Sequence, residues 1–68
     1  MIRIRLNGKE ELIKDGITIM DLLKEIDINP QRITIELNGD IISKSKYSEK
    51  IIKEGDKMEI VQFIGGGI

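Results

Sequence analysis

The last four residues of the chain, Gly65-Gly66-Gly67-Ile68, are the part of the sequence best suited to a reaction. Glycine has no side chain and adopts backbone angles closed to other residues, so three in a row do not pack as a core element. They can instead pass through a narrow channel in another protein. A fully extended tail from Gly65 to Ile68 reaches at most roughly 13–14 Å, far enough to enter a partner's active site. A frayed terminus is the alternative interpretation.

The residue types that are missing exclude most chemistry by the chain's own side chains. There is no Cys, which excludes disulfides, thiolate metal sites and cysteine nucleophiles, and there is no His, the commonest general base and metal ligand. Tyr47 and Phe63 are the only aromatic residues, too few for base stacking. Carboxylates such as Glu10, Glu11 and Asp27 lie among Lys residues and are interpreted as surface charge. The sequence therefore predicts a protein that is not an enzyme and binds neither a metal nor a cofactor.

Length and composition predict one small globular domain. The chain has 68 residues, of which 40% are hydrophobic and 34% charged, with a net charge of −1. Such values are typical of a folded domain and not of a disordered one. Acidic and basic residues are interspersed, so no basic patch predicts binding to nucleic acid or to a membrane. No apolar run approaches the ~18–20 residues of a membrane span and no signal peptide is found, so we expect a cytoplasmic protein.

A hairpin and a helix are predicted in the first half of the chain. Ile2–Leu6 alternates apolar and charged residues, Asn7-Gly8 is a strong turn signal, and residues 9–14 form the return strand. Thr18 is the predicted N-cap of a helix, with Asp21 three residues later as in a capping box. The helix is expected to end near residues 27–29, before Pro30. Its apolar stripe consists of Ile19, Leu22, Leu23 and Ile26.

Three further strands are predicted in the second half. Ile33–Leu37 alternates again, Asn38-Gly39 forms a turn, and residues 41–43 form a short strand. Residues 43–53 read as a loop with a short helical turn, and residues 54–56 as a turn before the last strand at 57–64. The loop has three apolar anchors: Tyr47, Ile51 and Ile52.

The order of these elements predicts an α+β domain with β-grasp architecture. A single helix must cover one face of a mixed sheet of four to five strands in order to bury its apolar stripe. In that arrangement the first strand lies centrally, beside the last. We expect residues 1–64 to form this domain and residues 65–68 to form a flexible C-terminal glycine tail.

Alternation also predicts which side chains the helix leaves uncovered. The Ile and Leu residues of the first and third strands belong to the core, and Met58 and Ile60 extend that set. Val61 and Phe63 are then apolar residues on the open face, next to the tail. We interpret them as a partner-docking patch, and the alternative is ordinary exposed apolar residues or residues covered by a loop. The polar residues that flank this patch are Arg3, Arg5, Thr34 and Glu36.

Taken together, these segments resemble the ubiquitin-like sulfur carrier proteins of thiamine biosynthesis, the ThiS-like family. The resemblance covers the whole chain, including both Asn-Gly turns, the helix that begins at Thr18 and the Glu54-Gly55-Asp56 turn. Its specific part is Glu59-Ile60-Val61-Gln62-Phe63-Ile64-Gly65-Gly66-Gly67.

The resemblance implies a mechanism in which partners supply the catalytic groups. An adenylating enzyme (ThiF-like) would activate the carboxylate of the C-terminal glycine with ATP. A sulfur donor such as a cysteine desulfurase would then convert the acyl-adenylate to a thiocarboxylate, and a thiazole synthase (ThiG-like) would take the sulfur. By position, Gly67 is the thiocarboxylate residue, and Gly65 and Gly66 are the slender lead-in.

One residue departs from the family pattern. Family members end at the glycine, whereas this chain continues with Ile68, so we expect Ile68 to be removed in the working form. Two alternatives stay open: a molybdopterin-synthase small subunit or other sulfur carrier of the same superfamily, and a β-grasp interaction module without sulfur chemistry.

Overall fold

A computed structural model of the chain describes residues 1–63, and its central element is a five-stranded mixed sheet. The strands are β1 (Ile2–Leu6), β2 (Lys9–Ile13), β3 (Ile33–Leu37), β4 (Asp40–Ile42) and β5 (Lys57–Gln62). Their order is β2-β1-β5-β3-β4, in which β1 and β5 are parallel and all other neighbours antiparallel. The predicted ubiquitin-like β-grasp architecture, with the first strand beside the last, is confirmed. The glycine tail lies outside the described residues.

Both hairpins turn at an Asn-Gly pair. Asn7 and Asn38 have φ angles of 48° and 53°, and the glycines after them have φ angles of 82° and 90°. Two consecutive residues with positive φ match the right-handed twist of the strands, and Asn and Gly adopt such angles with little strain. The two turns therefore fix the register of β1 with β2 and of β3 with β4.

The main helix, α1, spans Ile19–Glu25 and crosses one face of the sheet. The predicted capping box is present: the Asp21 amide donates to Thr18 Oγ1 at 3.1 Å, and the Thr18 amide donates to Asp21 Oδ2 at 2.9 Å. The hydrogen bond that the Thr18 amide donates to the Asp21 carboxylate, with a smaller contribution from the Thr18 side chain, lowers the pKa of the Asp21 carboxyl below its usual value.

The helix ends earlier than predicted, and the assignment of Ile26 to its buried stripe is wrong. Ile26 is the C-cap, and the chain leaves the helix at Asp27, which has a φ of 58°. The side chain of Ile26 is exposed. A short 3-10 helix that the sequence did not predict, Pro30–Arg32, then leads into β3, with Asn29 Oδ1 accepting from the Gln31 amide.

The core lies between α1 and the covered face of the sheet. Tyr47 and Ile52 are buried in it, as expected, but Ile51 is partly exposed and does not anchor the loop. Adjacent residues of an extended segment point to opposite sides, so Ile51 and Ile52 cannot both face inward. A second 3-10 helix, Lys44–Lys46, supplies the predicted helical turn of this loop. The other buried side chains are Ile2, Ile4, Ile13, Ile19, Leu22, Leu23, Ile33, Ile35, Leu37, Met58 and Ile60.

Candidate functional site

The strand that leads into the glycine tail lies in the middle of the sheet. β5 is flanked by β1 on one side and β3 on the other, and Phe63 is the last described residue after it. The Phe63 amide donates to the carbonyl of Arg32 at 2.9 Å, so contact with the β3 side continues to the end of the described chain. The predicted tail residues Gly65, Gly66 and Gly67 lie outside the described residues. Gly67 is at most roughly 14 Å from Phe63 along an extended chain.

On the β1 side of β5, the last hydrogen bonds of the described chain are made by the side chain of Asn7 and not by the backbone. The Ile60 amide donates to Asn7 Oδ1 at 2.6 Å, and Asn7 Nδ2 donates to the Ile60 carbonyl at 3.1 Å. The sequence predicts Asn7 only as a turn residue. An Asn-Gly turn at the end of a strand gives no signal about which neighbouring strand the amide will contact, so this contact was missed.

Val61 and Phe63 form an apolar group at the end of β5. Their side chains are 56% and 55% exposed. Val61 lies directly opposite Thr34 of β3, and both residues are on the face that α1 does not cover. Two neighbouring exposed apolar side chains beside a strand end provide a surface on which another protein can dock.

Arg3 and Arg5 lie on the same face but closer to the start of β5. Arg5 pairs with Lys57, four residues before Val61, which places the two backbone positions roughly 13 Å apart along the strand direction. Arg3 Nε lies 3.9 Å from Glu10 Oε2, and Arg5 Nη1 donates to the Gly8 carbonyl at 3.3 Å. The structure therefore separates the four predicted docking residues into a basic group and an apolar group.

Two acidic residues lie between these groups. Glu36 of β3 is directly opposite Glu59 of β5, in the row of side chains before Thr34 and Val61. Like charges in directly opposed positions weaken a sheet, so a basic group on a bound partner would relieve this repulsion. The uncovered face thus changes from basic near Arg5, to acidic at this pair, to apolar near the tail.

Two kinds of feature are absent from the described residues: metal-binding clusters and membrane-spanning helices. In residues 1–63 no group of three or more His, Cys, Asp or Glu side chains is arranged to hold a metal ion. None of the helices within this part of the chain has the length and apolar character needed to cross a membrane.

Comparison with protein families gives one match over nearly the whole chain. Residues 3–67 match the model of the ThiS family, so the match includes Gly65, Gly66 and Gly67. The chain is 40% identical over 65 residues to the sulfur carrier protein ThiS of Bacillus subtilis, with 94% of this chain and 98% of that protein covered. It is also 36% identical over 66 residues to the thiazole synthase of Paramagnetospirillum magneticum. That match covers 97% of this chain but spans only 20% of the length of the synthase.

A solved structure agrees with the fold. The crystal structure of the thiamine biosynthesis protein ThiS from Geobacter metallireducens superimposes with a TM-score of 0.83 at 26% identity. The superposition covers 97% of this chain and 100% of that one. The similarity therefore includes the sheet and the helix.

Proposed function

The chain belongs to the ThiS family, and we propose that it acts as a sulfur carrier protein in thiamine biosynthesis. The observation that carries this proposal is the family match over residues 3–67, which includes the three glycines of the tail. Without Cys or His, the chain's main-chain carboxyl is the group best suited to carry sulfur. In this proposal the chain is a co-substrate of partner enzymes and not itself an enzyme.

The chemistry that we propose takes place at the carboxylate of Gly67. A carboxylate is a poor electrophile, and its mixed anhydride with AMP is a good one. An adenylating enzyme (ThiF-like) forms that anhydride from ATP and releases pyrophosphate. A sulfur donor such as a cysteine desulfurase carries the sulfur as a persulfide, which attacks the acyl-adenylate, releases AMP and forms an acyl disulfide. A second thiol then cleaves this disulfide, which leaves the thiocarboxylate on the chain and a disulfide between the donor and that thiol. The use of ATP is consistent with a cytoplasmic location.

In this proposal residues 1–63 dock on the partner enzyme, and the tail brings the carboxylate to that enzyme's active site. Val61 and Phe63 provide the apolar contact at the base of the tail, and Arg3 and Arg5 provide a separate basic contact. Gly65 and Gly66 form a lead-in narrow enough for a channel that admits only backbone. This division explains how the domain can be recognised by its surface without supplying any catalytic side chain.

We propose a thiazole synthase (ThiG-like) as the acceptor of the sulfur. In support, the thiazole synthases of Paramagnetospirillum magneticum and Magnetococcus marinus each contain a segment similar to this chain, spanning 20% of their length. Joining two units in one polypeptide raises their effective concentration, which benefits proteins that act on each other.

Reconstitution of the sulfur transfer tests the proposal. The chain ending at Gly67 would be incubated with ATP, the host's adenylating enzyme, a cysteine desulfurase, cysteine and a thiol reductant, and then examined by intact-mass spectrometry. We expect the mass increase of one oxygen replaced by sulfur, and loss of that increase when a thiazole synthase and its substrates are added. Omitting ATP is the control. A folded chain that never gains sulfur would contradict the proposal, and sulfur passed only to a molybdopterin synthase would move the chain to the other branch of the superfamily.

A further inference from the structure

The contact between β1 and β5 follows the regular pattern of a parallel pair until it reaches Asn7. The Arg5 amide donates to the Asp56 carbonyl, and the Asn7 amide donates to the Met58 carbonyl, both at 2.9 Å. In this slanted pattern the next bond would run from the Ile60 amide to the backbone carbonyl of Asn7. The backbone cannot provide it, because Asn7 has a φ of 48° and already turns towards β2.

The side chain of Asn7 takes the place of the missing backbone. Its Oδ1 accepts from the Ile60 amide at 2.6 Å, and its Nδ2 donates to the Ile60 carbonyl at 3.1 Å. A side-chain amide carries the same donor and acceptor as a peptide group, so the pairing extends by one residue past the turn. Ile60 is buried, and its backbone groups would otherwise lack partners at a cost to folding.

This contact marks a boundary along β5. Within residues 1–63, the bonds between Asn7 and Ile60 are the last that β5 makes on the β1 side. Beyond it, Val61 and Gln62 pair with β3, and the Phe63 amide bonds to Arg32 on the same side. Val61, Phe63 and the glycine tail, which the proposed function uses, all follow Ile60 in the sequence. Ile60 is the last described residue of β5 with hydrogen bonds to the β1 side.

We infer that Asn7 is a positioning residue for the activation of Gly67, an inference that rests on the proposed function. By holding Ile60 from the β1 side, Asn7 fixes the direction in which the tail leaves the sheet. Gly67 follows Ile60 by seven positions, so a small rotation at Ile60 becomes a larger displacement at the carboxylate when a partner's channel holds the tail extended. A reaction between positioned groups is sensitive to displacements of about 1 Å. Asn7 itself touches neither ATP nor the reacting carboxyl.

The chain contains a matched control for this contact. Asn38 is also the first residue of an Asn-Gly turn with positive φ, and its Oδ1 accepts from the Lys57 amide at 2.9 Å. This hydrogen bond lies on the β3 side, at the first residue of β5, and is therefore far from the tail. Replacement of either Asn by Gly keeps the positive φ and removes only the side-chain amide.

The experiment compares Asn7→Gly with Asn38→Gly in the full chain and in the chain ending at Gly67. Amide hydrogen exchange is followed at residues 60–63 in both forms. ATP–pyrophosphate exchange is measured on the chain ending at Gly67, which has the free carboxylate, with the host's adenylating enzyme over a range of carrier concentrations. For Asn7→Gly we expect faster exchange at Ile60 and a kcat lower by roughly tenfold, with KM changed little because the docking residues stay paired with β3. For Asn38→Gly we expect kcat within about twofold of the unmodified chain, since the base of the tail is not touched.

A conservative variant separates positioning from general destabilisation. Asn7→Asp keeps the acceptor for the Ile60 amide and loses the donor, so we expect a kcat between those of the unmodified chain and Asn7→Gly. Urea unfolding establishes that each variant is folded under the assay conditions. Equal kcat values for folded Asn7→Gly and Asn38→Gly, with the unmodified chain active, would overturn this inference alone. An unmodified chain ending at Gly67 that supports no pyrophosphate exchange would overturn the proposed function, and this inference with it.

Discussion

Thr34 lies directly opposite Val61 in the antiparallel pairing of β3 with β5, on the face of the sheet that α1 leaves uncovered. Because a threonine offers a methyl group as well as a hydroxyl, this pair extends the apolar surface of Val61 and Phe63 across two strands. The surface adjoins the end of β5, so a partner that docks there is already close to the tail.

We predict that replacing both Val61 and Phe63 by Ser weakens binding of the adenylating enzyme by about 1–3 kcal/mol, as loss of buried interface anchors does. Both side chains are more than half exposed, so the free energy of unfolding should change little. Calorimetric titration measures the first effect and urea unfolding the second. Ile26→Ser is the control, because Ile26 is 39% exposed at the C-cap of α1, away from the face that carries Val61 and Phe63. Unfolding of the double variant would show that these residues belong to the core.

The uncovered face illustrates what the sequence could predict and what it could not. Alternation placed Arg5 and Val61 on one face, because side chains of a strand alternate with a period of two. It could not tell how far apart they lie, since that distance depends on the register of β1 with β5, which was not derivable from either strand alone. The capping box of Thr18 was predictable because it is local, with both partners within one turn. The contact of Asn7 with Ile60 joins residues 53 positions apart and required the topology.

We predict that the basic group acts mainly on the rate of association. Charges at the rim of an interface steer encounter and are screened by salt. The double replacement Arg3→Gln and Arg5→Gln should lower the association rate constant with the adenylating enzyme by up to about tenfold at low ionic strength, and much less at high ionic strength. Stopped-flow fluorescence measures both conditions. Lys14→Gln with Lys24→Gln removes the same charge elsewhere on the surface and should have a smaller effect. A loss that does not depend on salt would contradict a steering role.

We predict that Asp21 makes stability depend on pH in the acidic range. Hydrogen bonds from Thr18 lower the pKa of the folded Asp21 carboxyl, so the unfolded chain binds the proton first as the pH falls. The contribution of Asp21 is therefore fully present above the pKa of the unfolded state, and it is lost as the pH falls through the lower pKa of the folded state. Asp21→Asn should be less stable near neutral pH and show a shallower decline in the free energy of unfolding below about pH 4. Urea unfolding across this range provides the test. Thr18→Ser, which keeps the hydroxyl, should preserve the steeper decline, and an unchanged slope for Asp21→Asn would refute the role of the capping box.

We predict that Gly66→Val abolishes activation of the chain ending at Gly67. A branched side chain cannot pass through a channel shaped for glycine backbone. Gly66 lies outside the described domain, so we expect the substitution to leave the fold of that domain unchanged. ATP–pyrophosphate exchange should be lost while the circular dichroism spectrum stays unchanged. Gly66→Ala, with a single methyl group, should retain more activity than Gly66→Val. Normal exchange by the Val variant would contradict the proposed narrow lead-in.

The last prediction concerns Ile68, the residue that follows the proposed thiocarboxylate position. While Ile68 is attached, Gly67 has no free carboxylate, and the terminal carboxylate lies roughly 3.5 Å beyond the proposed reactive position. A displacement on that scale is enough to cost orders of magnitude in a positioned reaction. We therefore expect the chain ending at Gly67 to form thiocarboxylate readily and the chain with Ile68 to form almost none until that residue is removed. Intact-mass spectrometry over the course of the reaction distinguishes the two forms, and pre-treatment of the longer chain with a carboxypeptidase should restore activity. Equal rates, with Ile68 still attached to the sulfur-bearing product, would instead show that the partner accepts a branched terminal residue. In that case Gly67 would not be the residue that carries the sulfur.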